Sequence, residues 1–590
     1  MMFRKYISSI AVLPLAVFAA QAQSIDPTVE VSRAYEGRMI EVHKPMTEME
    51  IPDSVTHFDL DFDYSVFDNP YKGTYEFNPY MQNMKPQHGE WPGRRLFLRA
   101  GAGYPLHPVF DLVWSPDLKG RFRMDAYAMH RSYIGRYRGI LPVKDEGTGG
   151  IYLDSPLSSG SGASRTGWNG YDMLTKAGFE GRLGWSGGVL TFNAGYFGLA
   201  TRDSVLTRGY NALDLGLRVR SDASRDRYFL YDAALAYRYG ADNMTFPEYA
   251  GSLAGHEFTL ASSFGPVFSR EQRLVLGVDA DIVSYSSVFG TFAGRFAVSP
   301  RYSLEKGRWS LDLGLQLSVL FSGGRSGSLP AQDSGRGQYV YPDISAGFEI
   351  IRDCMQIYVK AGGGDKVGKY SDMISYGHFI HPFYTYGISM PLLDNSVERL
   401  SVAAGLRGNI ASRFRYDLSA GYRIFARAPL FVSVSDSPYM LGAYSASLAY
   451  TGYNMFYASF DYGWESKDFS LDGNFTYRSS DVDIASPVQM QDGRYMAFFA
   501  PARFSGDIRA LYNWRKRIFA GADCDFSMAR ESALFDIRGY ADLGVYLEFR
   551  AARLFSFWLR GGNLLGMTVQ RMPMYAESGI NFTAGICLNL

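Results

Sequence analysis

Residues 307–321, GRWSLDLGLQLSVLF, alternate between apolar side chains and small or polar ones. The apolar set occupies the odd positions and consists of Trp309, Leu311, Leu313, Leu315, Leu317 and Val319. Because successive side chains of a β-strand point to opposite faces, this period of two predicts a strand with one apolar face. Residues 413–424 and 541–549 repeat the pattern, which continues from about residue 95 to the end of the chain. We find no long stretch with a convincing helical period, so the sequence predicts an all-β protein.

The length of these runs and the composition of the chain favour a membrane barrel. Each run is roughly ten residues long, as a tilted strand that crosses a bilayer requires. Aromatic residues make up 15% of the chain and charged residues 20%, and there are 63 glycines. Basic and acidic residues balance at 59 each, so nothing indicates a nucleic-acid partner. The three cysteines are far apart and odd in number, which makes a disulfide framework improbable.

The N-terminal residues predict export. Arg4 and Lys5 precede an apolar stretch, and Ala20 and Ala22 supply small residues at the two recognition positions of a cleavage site. This pattern is typical of a secretory signal peptide, assigned here to residues 1–22. No run of 18 apolar residues follows. The predicted organisation is therefore a signal peptide, a periplasmic or partly intraluminal segment over 23–94 that is a reduced plug at most, and a barrel over 95–590.

The connections between runs indicate which end of the barrel faces the periplasm. Short polar turns are predicted at 115–120, 185–188, 221–227, 265–272, 305–308, 351–354, 411–412, 465–468, 514–516 and 550–553. Longer, irregular stretches alternate with them, of which the largest are 131–170, 363–395, 425–453 and 479–502. Outer-membrane barrels have short periplasmic turns and long extracellular loops in this alternation. A soluble β-sandwich or propeller would also explain the period of two, but not this pattern of connections.

Ten turns define twenty strands, and segments 95–104 and 579–590 bring the predicted count to 22. The range 18–24 stays open because residues 425–453 contain two apolar runs that would form an extra hairpin. The last segment, GINFTAGICLNL, is apolar at every even position. We expect it to pair with the first strand, since an open edge would leave backbone groups unsatisfied in lipid. Its outward side chains form the expected assembly signal: Phe582, Ile586, Leu588 and Leu590.

The C-terminal region resembles that of TonB-dependent receptor barrels, especially the plug-less relatives common in Bacteroidota. The matching elements are Asn563, Leu564 and Leu565 at the end of the penultimate strand, Pro573 and Tyr575 in the loop, and the alternating last strand. The resemblance extends loosely over the whole chain. It implies an integral outer-membrane location in contact with lipids, and insertion by the barrel-assembly machinery, which reads the last strand.

The sequence departs from complete receptors before the barrel. Such receptors carry an N-terminal plug preceded by a segment that TonB grips, and residues 23–94 are about half of what a plug needs. Residues 28–35, TVEVSRAY, are extended enough to be gripped, although any exposed β-prone tail would look similar. Asp59, Asp61 and Asp63 share one face of a predicted strand. Their spacing does not suit a calcium loop, so we expect a solvated face or pairing with lumen arginines.

Two groups of residues are candidates for function. The parity of each strand places charges of both signs in the lumen: Glu180, Arg182, Asp214, Arg218, Asp279, Asp281, Asp312, Arg407, Asp507, Arg509, Asp542 and Glu548, together with Lys176 and Asp523. A self-satisfied network of ion pairs or a weakly selective channel would use such charges. An aromatic loop is the expected ligand or partner surface, and its members are Tyr376, His378, Phe379, His381, Phe383, Tyr384 and Tyr386. Packing of the loop against its neighbours, or an interfacial aromatic girdle, is the alternative explanation for these rings.

No catalytic, cofactor or metal site is expected. His378 and His381 are close in sequence but lack an identifiable third ligand. No nucleophile elbow or CxxC motif occurs, and His130, expected at the outer end of a strand, leaves a hydrolase at the rim as a minor alternative. The favoured function is uptake or passage of a nutrient or other solute. The alternatives are a structural or assembly barrel that docks lipoproteins or other outer-membrane proteins, and a surface-loop binding protein or adhesin.

Overall fold

The computed structural model describes most of the chain from residue 95 onward. Within 95–590, the residues outside this description are 119, 145–150, 155–166, 204–205, 222–227, 247–248, 287–290, 324–335, 353, 381–392, 412, 436–445, 483, 485 and 490–494. The predictions about the signal peptide, the segment over 23–94 and the TonB-gripped residues 28–35 therefore lie outside the described residues, as do those about His381, Phe383, Tyr384 and Tyr386.

The chain forms one closed antiparallel barrel of 22 strands. The strands are β1 (Leu96–Tyr104), β2 (Val109–Trp114), β3 (Phe122–Arg138), β4 (Gly167–Trp185), β5 (Gly188–Arg202), β6 (Thr207–Ser221), β7 (Phe229–Phe246), β8 (Tyr249–Ser269), β9 (Gln272–Ser286), β10 (Thr291–Lys306), β11 (Trp309–Gly323), β12 (Gly337–Ile351), β13 (Met355–Lys366), β14 (Ser396–Ile410), β15 (Phe414–Ser435), β16 (Ala446–Glu465), β17 (Phe469–Ser480), β18 (Phe504–Trp514), β19 (Ile518–Ser527), β20 (Tyr540–Arg550), β21 (Phe555–Gly562) and β22 (Asn581–Asn589).

The two ends of the chain close the ring. β22 pairs with β1 in a continuous register from Phe97↔Asn589 to Tyr104↔Phe582. The backbone of Leu96 also exchanges two hydrogen bonds with that of Leu590, at 2.9 and 2.8 Å. The all-β barrel fold and its closure by the last strand are thus confirmed. Closure leaves no open edge in the wall, which is the condition for a sheet that spans lipid.

The connections at one end of the barrel are the ten predicted turns, each of which lies between the strands expected from the sequence. In its described residues, the uncertain region 425–453 adds no strand to the ring. Its two apolar runs instead lengthen β15 and β16, which pair with each other from Ala428↔Thr451 to Ser433↔Ala446. The count of 22 is therefore correct, because the extra hairpin is the continuation of an existing one.

Longer connections lie at the opposite end and contain additional short elements. Three short strands, Leu141–Lys144, Ile151–Asp154 and Asp536–Ile537, form a separate small sheet. Val488–Gln489 and Tyr495–Phe498 extend the barrel sheet beside the upper part of β15. The helix α1 (Tyr370–Tyr376) follows β13.

Among the residues with described coordinates, no helix has both the length and the apolar character that a membrane crossing needs.

The outer surface of the wall is apolar. On β6, for example, Leu213, Leu215 and Leu217 are 48%, 43% and 44% exposed, and Asp214 and Arg218 alternate with them on the other face. Exposed apolar side chains recur on the outer face of other strands, and Leu313, Leu547 and Phe557 are examples. In an isolated soluble protein such a surface would be costly, whereas the hydrocarbon of a bilayer accepts it.

Candidate functional site

The loop that follows β13 folds into one end of the barrel and reaches strands far from its own. Its residue His378 has Nδ1 2.8 Å from a carboxylate oxygen of Asp172 on β4. In a ring of 22 strands, β4 and β13 lie nine positions apart and are nearly diametrically opposed. With strands about 4.8 Å apart and tilted by about 40°, the ring is roughly 45 Å wide. We call residues 367–380 the crossing loop, because they pass from β13 along the inner wall, in contact with β9, β8, β7 and β6, to reach β4.

Other long connections meet this loop at the mouth. We use the name mouth assembly for the loop residues that share one apolar core there: Ile140, Leu153, Leu206, Val367, Tyr370, Met373, Ile374, Ile380, Leu393, Phe499, Phe535, Ile537, Met572, Met574, Tyr575 and Ala576. Each is at most 7% exposed. The core continues onto side chains of β5 to β11, β14 and β16, such as Leu199, Val283 and Leu448. Burial against so many wall strands holds the loops inside the mouth by the hydrophobic effect.

A fully buried ion pair fastens the crossing loop to the wall. Arg208 of β6 lies with Nε 2.8 Å from Oδ2 of Asp242 on β7, and both side chains are 0% exposed. The Nε–H of Arg208 is not aligned for a hydrogen bond, so this contact is an ion pair. The other nitrogens of the guanidinium donate to the backbone carbonyls of His378 at 3.0 Å and Ile380 at 2.6 Å. One arginine thus joins two wall strands to the crossing loop.

Tyr370, the first residue of α1, completes this contact. Its hydroxyl donates to Oδ2 of Asp242 at 2.5 Å, while its backbone N–H donates to the hydroxyl of Tyr285 on β9 at 2.8 Å. Burial raises the pKa of the Tyr370 phenol well above its usual range, so the phenol keeps its proton and remains a donor. Glu257 of β8 accepts from the backbone N–H of Ser371 at 3.1 Å and from its hydroxyl at 2.5 Å. The start of α1 is therefore tied to three wall strands.

A second group of charges supports the loop just before α1. Lys369 donates through Nζ to Asp281 at 2.7 Å and to the hydroxyl of Thr259 at 2.5 Å. Arg295 of β10 pairs through Nε with Asp365 at 2.5 Å, near the end of β13. These pairs are largely shielded from solvent, with Lys369 and Asp281 side chains 16% and 17% exposed. Shielded pairs are screened less by salt than pairs on the surface.

An aromatic cluster closes the far side of the assembly. The ring of Tyr137 stacks on that of Trp168 with centroids 4.2 Å apart, and Phe379 stacks on Tyr575 at 5.1 Å. The two stacks meet edge to face, since Trp168 lies 5.8 Å from Phe379. The hydroxyl of Tyr575 donates to Asp203 at 2.6 Å. These rings pack against one another inside the mouth.

The described members of the predicted aromatic loop have different environments. Phe379 packs in the aromatic cluster and His378 pairs with Asp172, so both contribute to holding the loop. Tyr376 is 49% exposed at the end of α1. Their assignment as a ligand or partner surface stays a prediction, and the structure adds packing of the loop against its neighbours as an observed role for Phe379.

The predicted lumen charges lie on the wall face opposite the exposed apolar side chains. Most of them contact another polar group: Asp214 pairs with Arg238, Arg218 with Asp232, Glu180 with Arg182, Asp281 with Lys369, Asp507 with Arg509, Asp542 with Arg571, Asp523 with Arg560 and Glu548 with Arg550. Asp312 accepts from Ser345, Arg407 donates to Gln356 and Lys176 lies over the Phe197 ring. Asp279 shares the face of Asp281 on β9. The extensive pairing resembles the self-satisfied network, and a role in selectivity stays a prediction.

Sequence reasoning missed Arg208, Asp242, Glu257 and Tyr370. Arg208 has the same parity on β6 as Asp214 and Arg218, so extending the alternation to the upper end of the strand would have found it. No such signal identifies its partners on the crossing loop, because His378 lies 170 positions away in the sequence.

The sequence matches no family model and no curated protein sequence. Solved structures do resemble the barrel. The siderophore receptor PiuA from Acinetobacter baumannii has a TM-score of 0.57 and 9% identity, with 84% of this chain and 81% of that one covered. A mutant ferric enterobactin receptor from Pseudomonas aeruginosa has a TM-score of 0.56 and 10% identity, with coverage of 84% and 80%. The FrpB iron transporter from Neisseria meningitidis has a TM-score of 0.56 and 8% identity, with 84% of this chain and 82% of that one covered.

At such low identity these likenesses concern the fold. The expected likeness to TonB-dependent receptor barrels is confirmed at that level, since siderophore receptors share the closed 22-strand architecture. The chain thus forms a closed 22-strand barrel like theirs in fold, with its own loops packed together inside one mouth. The finer expectation of a plug-less, Bacteroidota-type relative stays a prediction.

Proposed function

We propose that this protein is an integral outer-membrane barrel that takes up a nutrient or other solute through a gated route, and that it is not an enzyme. The observation that carries the proposal is the loop bridging β13 to β4 in a barrel of receptor type. A general porin needs a permanently open path, whereas loops that share an apolar core inside the mouth must move before a large solute passes. The apolar outer face of the wall supports a location in lipid.

The partners follow from this location. Outer-membrane lipids contact the exposed leucines and aromatic side chains of the wall, and the barrel-assembly machinery reads Phe582, Ile586, Leu588 and Leu590 during insertion. Phe582, Ile586 and Leu590 are 49%, 39% and 50% exposed, as a signal read from outside requires. Energy coupling by TonB through residues 28–35 is the mechanism that would open the route, and a surface or periplasmic lipoprotein is a further partner.

Conductance in planar bilayers tests the gated route. The purified full chain should be electrically silent, and a variant with residues 368–392 replaced by a short Gly-Ser linker should conduct. A second variant that also lacks residues 23–94 removes any blockage by that segment. Replacing 436–445 by the same linker is the matched control, because it shortens a long loop that follows β15 and spares the described mouth assembly.

Uptake is tested in cells that depend on the protein for growth on a limiting nutrient. If import is coupled to TonB, growth should be lost when residues 28–35 or TonB is deleted. If passage is passive, growth should be retained when residues 28–35 and TonB are both deleted. The transport proposal would be overturned by a barrel that conducts no ions after residues 368–392 are replaced and residues 23–94 are removed, and that supports growth on no nutrient.

The closed mouth also favours a second candidate, a structural or assembly barrel that transports nothing. Such a barrel would use the packed loops as a rigid platform for a lipoprotein or another outer-membrane protein. Co-purification of a partner in a 1:1 ratio, lost when residues 368–392 are replaced, would support this candidate over uptake.

A further inference from the structure

A small cavity lies inside the barrel at the turn end, where the chain closes on itself. It has a volume of about 140 Å³ and is lined by residues of β1, β20, β21, β22 and the turn between β20 and β21. Its charged groups are Arg99, Glu548, Arg550 and Arg553, and the thiol of Cys587 also lines it. Three guanidinium groups and one carboxylate leave a formal surplus of two positive charges.

The wall is shaped to hold Arg99 in place. Trp558 of β21 is 4% exposed and lies over Gly101 of β1 and Gly585 of β22, where an added Cβ would come within 2.4 and 2.7 Å of its ring. The guanidinium of Arg99 stands 4.1 Å from the centre of this ring and 5.5 Å from that of Tyr546. Two ring faces and two glycines thus fix the position of one cation.

The single carboxylate of the cavity is already engaged. Glu548 accepts from the hydroxyl of Tyr546 at 2.6 Å and pairs with Arg550 at 3.3 Å. Arg99, by contrast, has no carboxylate within ion-pair distance among the residues that the structure describes, and its buried Nε has no hydrogen-bond partner there. An oxyanion in the cavity would therefore supply the counter-charge that Arg99 lacks there.

We propose that this cavity, the seam pocket, binds an oxyanion of carboxylate or phosphate size. Arginine presents a planar fork of donors that matches such groups, and stacking on Trp558 pre-organises that fork. The volume admits a small anion or the anionic end of a longer molecule. The proposal does not depend on solute uptake, because the seam pocket lies at the end of the barrel opposite the mouth assembly.

Two sources supply an oxyanion of this chemistry. One is a free anion of the periplasm, and the other is a carboxylate of the chain's own acidic stretch, in which Asp59, Asp61 and Asp63 precede β1. The variant D59N/D61N/D63N separates them. If the chain's own carboxylates occupy the seam pocket, inorganic phosphate should bind this variant more tightly than the natural sequence.

Binding is measured by titrating inorganic phosphate into the detergent-purified full chain in a calorimeter, at constant ionic strength. We expect one saturable site per barrel in the natural sequence or in the triple variant. R99Q and R553Q should each weaken binding about tenfold or more, because each removes a charge-assisted donor. R220Q is the matched control, since Arg220 sits at the turn end of β6 outside the cavity, and it should bind phosphate as before.

Thiol labelling gives a second readout that does not rely on heat signals. In a C354S/C524S background, Cys587 is the remaining thiol, and bound phosphate should slow its reaction with a small thiol reagent. Resistance of the folded barrel to SDS before heating shows that each variant has closed its seam. Absence of saturable binding in both the natural sequence and D59N/D61N/D63N would overturn the proposal. An equal loss of phosphate affinity in R99Q and R220Q would also overturn the proposal, since it would indicate diffuse electrostatic attraction instead of a site.

Discussion

Replacing Arg208 by methionine should release the crossing loop from the wall. The substitution keeps most of the side-chain volume and removes the charge together with both donors to the backbone of His378 and Ile380. It also leaves the carboxylate of Asp242 buried at 0% exposure without its counter-ion. We therefore expect α1 and the residues after it to open while the barrel wall stays folded.

The magnitude follows from the burial of the pair. Removing one partner of a buried ion pair costs about 3–5 kcal/mol, because the other charge is left uncompensated. At about 1.4 kcal/mol per factor of ten, a loss of about 3 kcal/mol raises the open-to-closed ratio of the loop roughly 150-fold. The hydroxyl of Tyr370 still donates to Asp242 and recovers only part of this loss.

Hydrogen–deuterium exchange measures the release directly. Peptides covering residues 367–380 should exchange much faster in R208M than in the natural sequence, and peptides from the lower half of β6 should not change. R218M is the matched control on the same two strands. Arg218 pairs with Asp232 at 52% and 34% exposure, and a pair of that exposure contributes less than about 1 kcal/mol.

Equal exchange over 367–380 in R208M and R218M would refute this reasoning. The double variant R208M/D242N provides a further check, because it removes the stranded charge together with its partner. Its loop should exchange more slowly than that of R208M, since a neutral amide is less costly to bury than a carboxylate.

Three further predictions concern other parts of the molecule. Tyr370→Phe should also speed exchange of the crossing loop, but less than R208M, since loss of one buried hydrogen bond costs about 1–3 kcal/mol. Gly585→Val should prevent closure of the seam, because any Cβ there meets the Trp558 ring at 2.7 Å. Loss of the folded band that resists SDS before heating checks this. The control Gly184→Val should retain that band, since no atom lies within 4 Å of a Cβ built at Gly184. Leu215→Arg should destabilise the folded barrel by about 2–4 kcal/mol in lipid vesicles, as a charge near the bilayer midplane does, while Leu215→Met should change urea unfolding little.

The barrel was predictable because its determinants are local. Each strand needs only an alternation of side chains, as in residues 307–321, and each turn only a short polar break. Antiparallel neighbours in sequence become neighbours in space, so the order of the ring follows from the order of the chain. The one doubtful region, 425–453, was doubtful because a long hairpin and two hairpins share the same local pattern.

The mouth assembly depends on contacts that no local pattern encodes. Glu257 and Ser371 lie 114 positions apart, and Tyr370 and Asp242 lie 128 positions apart. They meet only because the loop after β13 runs along the inner wall of a ring whose curvature and closure are set by all the strands together. The alternating sequence by itself therefore determined the wall, the strand count and the side that faces lipid. Which polar groups are buried as partners, and which loops pack together inside the mouth, was decided by the tertiary structure, because a long loop acquires its position only from the walls it packs against.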